Sequence, residues 1–280
     1  MKFMQIYKRY LKGICLLLPM LILAGCNNNS SGTDTGTLAA IKERGKLIVG
    51  VKYDTNLFGL KDPATGDVNG FDVDIAKALA KKIFGDENKL ELKSVVSKTR
   101  IPMLQQGDID AIIATMTITP ERGKQVLFTD SYFDAGQSLL VKKGSPIKSI
   151  KDIKSGVRVV TVKGSTPAKR IRKMVPGATV LEFDNYQNAF MALKTGKGDV
   201  LTTDNVILMG MSRQDPKYVV VGDNFSDEPY GIAVRHGDVE FADYINKFLK
   251  EIKSDGTYDA IYKKWLGIAP PKNKENNKSQ

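Results

Sequence analysis

An α/β fold of two similar lobes is what this sequence predicts, on three observations. Short β-branched apolar runs alternate with amphipathic helical stretches, the order that builds strand–helix units around a parallel sheet. The second half repeats the grammar of the first: residues 103–113 (MLQQGDIDAII) and 192–202 (ALKTGKGDVLT) both pass from a helix end through Gly and Asp into an apolar strand. The 280 residues, 42% hydrophobic and 26% charged, have the composition of a water-soluble globular protein of one large or two ordinary domains. Pattern alone leaves a single larger sheet as the alternative to two lobes.

The chain opens on a basic stretch (Lys2, Lys8, Arg9, Lys12) followed by eleven apolar residues from Ile14 to Ala24. Eleven are too few to span a bilayer but suit the apolar core of a cleavable signal peptide over residues 1–25. Leu23-Ala24-Gly25-Cys26 looks like a bacterial lipobox, in which the Cys26 thiol is lipidated and becomes the mature N-terminus. Cleavage removes four positive charges and Cys15, so the folded part is expected to carry neither thiol chemistry nor a disulfide. Residues 26–37, polar and small, read as a flexible tether, and residues 269–280, beginning at the double proline, as a disordered tail.

Between these ends, Leu47 to Val51 reads as a buried strand, and apolar residues at 71, 75, 76, 79, 80 and 83 mark a helix that Asp72 can cap and Gly85 ends. Leu90 to Val96 reads as a strand, Ile101 to Gln106 as a short helix and Asp110 to Ala114 as a strand. The second half reads as a strand at Val157 to Val162, a helix from Thr166, a helix Tyr186 to Lys194 capped by Asn185, and a strand Asp199 to Thr203. Helices follow around Phe241 to Ile252 and over Tyr258 to Leu266. Crossings between lobes are placed near Leu139 to Val141 and Tyr230 to Ala233, and two crossings make a hinge.

Residues 114–122 (ATMTITPER) carry the most chemical information. Extended geometry would put Thr115, Thr117 and Thr119 on one face. Thr119-Pro120-Glu121 is a helix start, and Arg122 projects from its first turn beside free N–H groups, a combination suited to a carboxylate or phosphate. A capped helix with Arg122 in a surface ion pair is the alternative. Lys163 to Pro167 supplies a similar strand-to-helix turn with Thr166 as N-cap. Asp204 ends a strand where it can receive an ammonium or cap the next helix. Lys52 and Arg100 also lie at carboxyl ends of strands.

Two cysteines and one histidine, His236 in an apparent turn, leave too little for a Cys/His zinc cluster or a Ser-His-Asp hydrolase, and no metal or cofactor is expected. The net charge of +11 raises anionic partners, but export removes nucleic acid from consideration.

With these residues in view, the sequence from about Leu38 to Gly267 resembles the family 3 extracellular solute-binding proteins, receptors that deliver polar amino acids to ABC importers. The marks are residues 70–74 (GFDVD), 107–110 (GDID), 115–122 (TMTITPER), 128–132 (FTDSY) and 163–166 (KGST). The resemblance implies a periplasmic-binding-protein-like (Venus flytrap) fold, two α/β domains joined by a two-stranded hinge. Lobe one would be 38–138 with 231–268, and lobe two 139–230. It implies that Arg122 grips an α-carboxylate with Thr117 and the backbone near Thr115, that Thr166 adds a contact from lobe two and that Asp204 takes the α-ammonium. Lys52 and Arg100 look like the variants that bind aspartate or glutamate. Tyr230 is a further candidate, with hinge packing as its alternative, and no aromatic sandwich for a basic or amide side chain is obvious.

Lys52, Arg100 and Arg122 against Asp204 leave two spare positive charges. That surplus makes glutamate or aspartate the expected ligand and glutamine the second choice. The expected partners are this amino acid, ABC permease subunits and, through the Cys26 lipid, the outer face of the bacterial cell membrane, with the chain a monomer. A cyclohexadienyl-dehydratase-like enzyme and an adhesin or sensor ectodomain are the rivals from other classes.

Overall fold

A computed structural model of the chain describes residues 36–271; the expected signal peptide, Cys26, the tether up to residue 35 and the tail from residue 272 lie outside them. In chain order the first part contains α1 (Thr37–Arg44), β1 (Leu47–Val51), β2 (Asp54–Thr55), β3 (Gly59–Lys61), β4 (Val68–Asn69), α2 (Phe71–Phe84), β5 (Leu90–Ser94), α3 (Arg100–Gln106), β6 (Ala111–Ile112), α4 (Pro120–Gly123) and β7 (Val126–Ala135). The second holds β8 (Gln137–Lys142), β9 (Arg158–Val162), α5 (Thr166–Met174), β10 (Thr179–Phe183), α6 (Tyr186–Lys194), β11 (Val200–Asp204), α7 (Asn205–Gln214) and β12 (Tyr218–Val221). The chain then returns through β13 (Glu228–Arg235), α8 (Val239–Ser254) and α9 (Thr257–Leu266).

Two five-stranded sheets share one plan. The first runs β5-β1-β6-β13-β7 and the second β10-β9-β11-β8-β12. In each, three parallel strands are followed by one antiparallel strand and then a fifth that again runs with the first three. The fourth place in each sheet, held by β13 or β8, belongs to the strand that has just crossed from the other sheet. Helical connections between the parallel strands are what a parallel ladder requires, since a tight hairpin cannot reverse the chain twice. β2, β3 and β4 form a small separate sheet that the turn-rich sequence around Asp62 did not suggest.

Several elements sit where local periodicity put them: β1 and α6 match to the residue, and α8 buries Phe241, Ile245, Phe248, Leu249 and Ile252 on one face. Others differ for stated reasons. Helix α2 begins at Phe71 with Gly70 as its N-cap, so Asp72 lies inside the helix and does not cap it. Helix α5 has Ser165 at the N-cap and Thr166 as its first residue. The strand expected over Asp110 to Ala114 pairs only at Ala111 and Ile112, because Thr115 turns the backbone to φ 45°. This breaks the shared face proposed for Thr115, Thr117 and Thr119. The chain passes from the first sheet to the second at Gly136 and returns before Glu228, a few residues ahead of the expected crossings.

Where the crossing strands meet, Tyr230 pairs with Phe133 across β13 and β7, with rings stacked at 5.6 Å between centroids. Phe58 meets Phe133 edge-on at 5.2 Å, and Tyr262 of α9 stacks on Phe133 at 5.6 Å. These offset and edge-on ring pairs pack an aromatic floor under the junction.

Candidate ligand-binding site

Most of the residues singled out in the sequence arrive at one cleft because they lie at or beyond the carboxyl ends of strands, while Tyr230 reaches it from the start of the antiparallel β13. Lys52 follows β1, Arg100 lies beyond β5, and Thr115 and Thr117 beyond β6, while Arg122 sits in α4. From the other sheet come Thr166 beyond β9 and Asp204 at the end of β11. Carboxyl ends of strands are where open α/β sheets place ligands.

Thr119 caps α4 by accepting from the Arg122 N–H at 3.2 Å, and Pro120 follows it, as the sequence indicated. The Arg122 guanidinium is not in a surface ion pair. It is 9% exposed, and Nη1 donates to the Thr117 carbonyl at 2.7 Å while Nη2 donates across the cleft to the Gly164 carbonyl at 3.2 Å. Arg100 is buried and donates through Nη1 to the carbonyls of Ala114 (2.6 Å) and Thr115 (3.3 Å). Lys52 is fully buried, donates to Ser97 Oγ at 3.0 Å and lies 5.1 Å over the ring of Tyr186 from the other lobe.

The acceptors are as specific. Asp204 Oδ2 accepts from the Tyr230 hydroxyl at 2.7 Å, and its carboxylate makes no cap bond to α7. The Tyr230 ring packs in the junction, its alternative role in the sequence reading, and its hydroxyl is spent on Asp204. Thr166 spends its hydroxyl on Glu228 Oε2 at 2.8 Å, so toward the cleft it has only the backbone N–H that the first turn of a helix leaves free. Glu228, fully buried, also holds Gln137 at 2.8 Å and Arg170 at 3.1 Å, tying the returning strand to α5. A groove of about 530 Å³ opens beside Arg122 and is rimmed by Lys98, Lys169, Arg170 and Lys173.

The sequence reading missed Asp72, Tyr186 and Phe58. Asp72 is fully buried, accepting from Thr115 N at 2.9 Å and from the Tyr132 hydroxyl at 2.8 Å. A signal was present: Asp72 falls three, four and seven residues before Ile75, Ala76 and Leu79, on the apolar face of its helix.

Burial governs the electrostatics. It pushes the carboxyls of Asp72 and Asp204 up to about 7, opposed by their tyrosine hydrogen bonds. Burial likewise drives Lys52 down to about 7, against the attraction of Asp54, and Arg100 down to about 9 with help from neighbouring Arg122. Arg122 is lowered by burial too, with Asp204 opposing. Three buried polar atoms of this cluster have no protein partner: Arg100 Nε, Thr115 Oγ1 and Asp204 Oδ1. Each costs on the order of 1–3 kcal/mol while it stays unpaired.

The lobes also touch at backbone level. Asn56 Nδ2 donates to the Gly210 carbonyl at 2.9 Å, and the Tyr186 N–H donates to Asp54 Oδ2 at 2.7 Å. A Cβ on Gly210 would fall 2.7 Å from the Asn56 carbonyl oxygen, and one on Gly164 2.9 Å from Lys98 Cα.

Comparison with known proteins agrees with this architecture. Residues 47–268 match the family described as bacterial extracellular solute-binding proteins, family 3. The chain is 57% identical over 260 residues to the ABC transporter glutamine-binding protein GlnH of Bacillus subtilis (strain 168), covering 91% of this chain and 95% of that protein. It is 63% identical over 229 residues to the glutamine-binding protein of Geobacillus stearothermophilus, covering 77% and 87%. Among solved structures, an ancestral arginine-binding protein bound to glutamine superposes with a TM-score of 0.75 at 48% identity, covering 80% of this chain and 99% of that one. These relatives are named as binding proteins and not as enzymes, and the two-lobed periplasmic binding protein fold is shared. The chain therefore belongs to the bacterial extracellular solute-binding proteins, family 3, and is an amino-acid substrate-binding protein of the ABC transport type.

Proposed function

We propose that the chain captures glutamine and hands it to an ABC permease, closing its lobes about the crossings at Gly136 and before Glu228. The observation that carries this reading is the trio of unpartnered buried atoms. Arg100 Nε and Thr115 Oγ1 are hydrogen-bond donors for an anion, and Asp204 Oδ1 is an acceptor for a cation. A zwitterionic α-amino acid supplies both, with Arg122 beside the carboxylate. Bridging Arg122 in one lobe to Asp204 in the other stabilises the closed form over the open one, as closure requires.

The expectation of glutamate or aspartate rested on two spare positive charges. Asp72 adds a carboxylate that the count left out, and burial of Lys52 and Asp72 alike to about 7 leaves each only part-charged at neutral pH, so the surplus is smaller than two. A ligand with a neutral amide side chain then suits the site better, and the two relatives named as glutamine-binding support that choice. In this reading Cys26 bears the lipid that holds a monomeric chain at the outer face of the cell membrane.

Isothermal titration calorimetry on the chain from Asn27 tests the assignment. Glutamine is expected to bind at least tenfold more tightly than glutamate, aspartate or arginine. Glutamate binding the tighter of the two would restore the acidic reading, and heat from none of the twenty amino acids would remove the amino-acid reading.

A further inference from the structure

Both oxygens of Asp72 are spent on neutral donors, Thr115 N and the Tyr132 hydroxyl, yet the carboxylate shares a dry region with Lys52 and Arg100. Through Thr115 it has a second hold on the cleft. Thr115 is bent to φ 45°, a backbone state disfavoured for a β-branched residue, and the Asp72 hydrogen bond pins that bend. The Ala114 and Thr115 carbonyls so presented are the two that seat the Arg100 guanidinium. Asp72 thus fixes where Arg100 lies and sets a negative charge behind it.

We propose that Asp72 is a specificity-determining positioning residue: a buried counter-charge behind Arg100 and Lys52 that makes the cleft favour a neutral amide side chain over a carboxylate. The inference rests on the reading of the cleft as an amino-acid site. Glutamate brings one negative charge more than glutamine, and in a dry cleft that charge is repelled by an ionised Asp72. The other carboxylates facing these cations are Asp54, which attracts Lys52 more than Asp72 does and is held by the Tyr186 N–H and the Thr55 hydroxyl, and Asp204 and Glu228, held by Tyr230 and by Thr166, Arg170 and Gln137 on the second lobe's side. With Asp72 neutral, more of the charge on Arg100 would be left for the ligand to balance.

Calorimetry near pH 8 with glutamine and glutamate, on the wild-type chain and on Asp72→Asn, reads the effect. Asparagine is isosteric: its Oδ1 can still accept from Thr115 N, and its Nδ2 can donate to the Tyr132 oxygen. The ratio of the glutamate Kd to the glutamine Kd is expected to fall at least tenfold in Asp72→Asn. In Tyr132→Phe, which removes a hydrogen bond and keeps the charge, it should change by less than about threefold. In Asp72→Ser, which removes the same charge with a smaller side chain, the ratio should fall as it does in Asp72→Asn. An unchanged ratio in Asp72→Asn, with both affinities weakened together, would reduce Asp72 to scaffold and overturn the proposal. Should Asp72→Asn not fold, an unchanged ratio in Asp72→Ser overturns it instead. A wild-type chain that binds neither ligand overturns the amino-acid reading as well, which separates the two failures.

Discussion

Asp204 and Asp72 hold protons in the folded chain at pH values where an unfolded aspartate, with its ordinary value of 3.8, has lost them. Their contribution to stability is therefore complete below 3.8 and is lost as pH rises through about 7. Lys52, lowered to about 7, acts above that range: its burial becomes less costly as pH rises from about 7 toward 10.5. The ligand-free chain is expected to lose thermal stability between about pH 5 and 7, and Asp204→Asn should flatten that slope. Melting curves across the range check this, and identical slopes in the two proteins would contradict the assignment. At this scale the sequence showed the residues that end strands, such as Lys52, Arg122 and Asp204, because chain direction alone places them. It concealed Asp72, whose partners Thr115 and Tyr132 lie more than forty residues away and whose local sequence reads as a cap.

Elements with a strong local period were legible, and those defined by pairing were not. β1 and α6 follow from apolar runs and a cap, whereas β7 and β13 exist as a long antiparallel pair broken by register shifts around Gly231. The cost of error was small, since the sheet changes at Gly136 and before Glu228 fall close to the apolar strands taken as crossings. The closing helix shows how one side chain can join two elements. Asp74 of α2 accepts from Trp265 Nε1 at 2.7 Å and Lys264 Nζ at 2.6 Å, both on α9. Lys264 is 60% exposed and contributes little, so the indole bond carries most of the link. Asp74→Ala is expected to cost about 1–2 kcal/mol and to lower Tm by roughly 2–6 °C. The chain has a single tryptophan, so a red shift of its fluorescence would report the loosened α9 directly, and an unshifted spectrum would argue against the link.

The contacts that join the lobes include Arg122 to Gly164, Asn56 to Gly210, Asp54 to the start of α6, Lys52 to the Tyr186 ring, and Arg213 of α7 to the Trp265 and Leu266 carbonyls of α9. A methyl group at residue 210 meets the Asn56 carbonyl at 2.7 Å, so Gly210→Ala should hold the lobes apart without altering any cleft residue. Glutamine affinity is expected to fall at least tenfold, and small-angle scattering in the presence of ligand should show a larger radius of gyration than wild type. Unaltered affinity would mean that closure does not bring these backbones together.

Where main chain meets main chain, nothing can repack. If the lobes close as proposed, the approach at Gly164 and Gly210 would act as a fixed calliper: cargo of the right girth would let the jaws reach their stop, and anything bulkier would leave them short of it. A transporter that docks only the fully shut shape would then inspect size without ever touching the cargo.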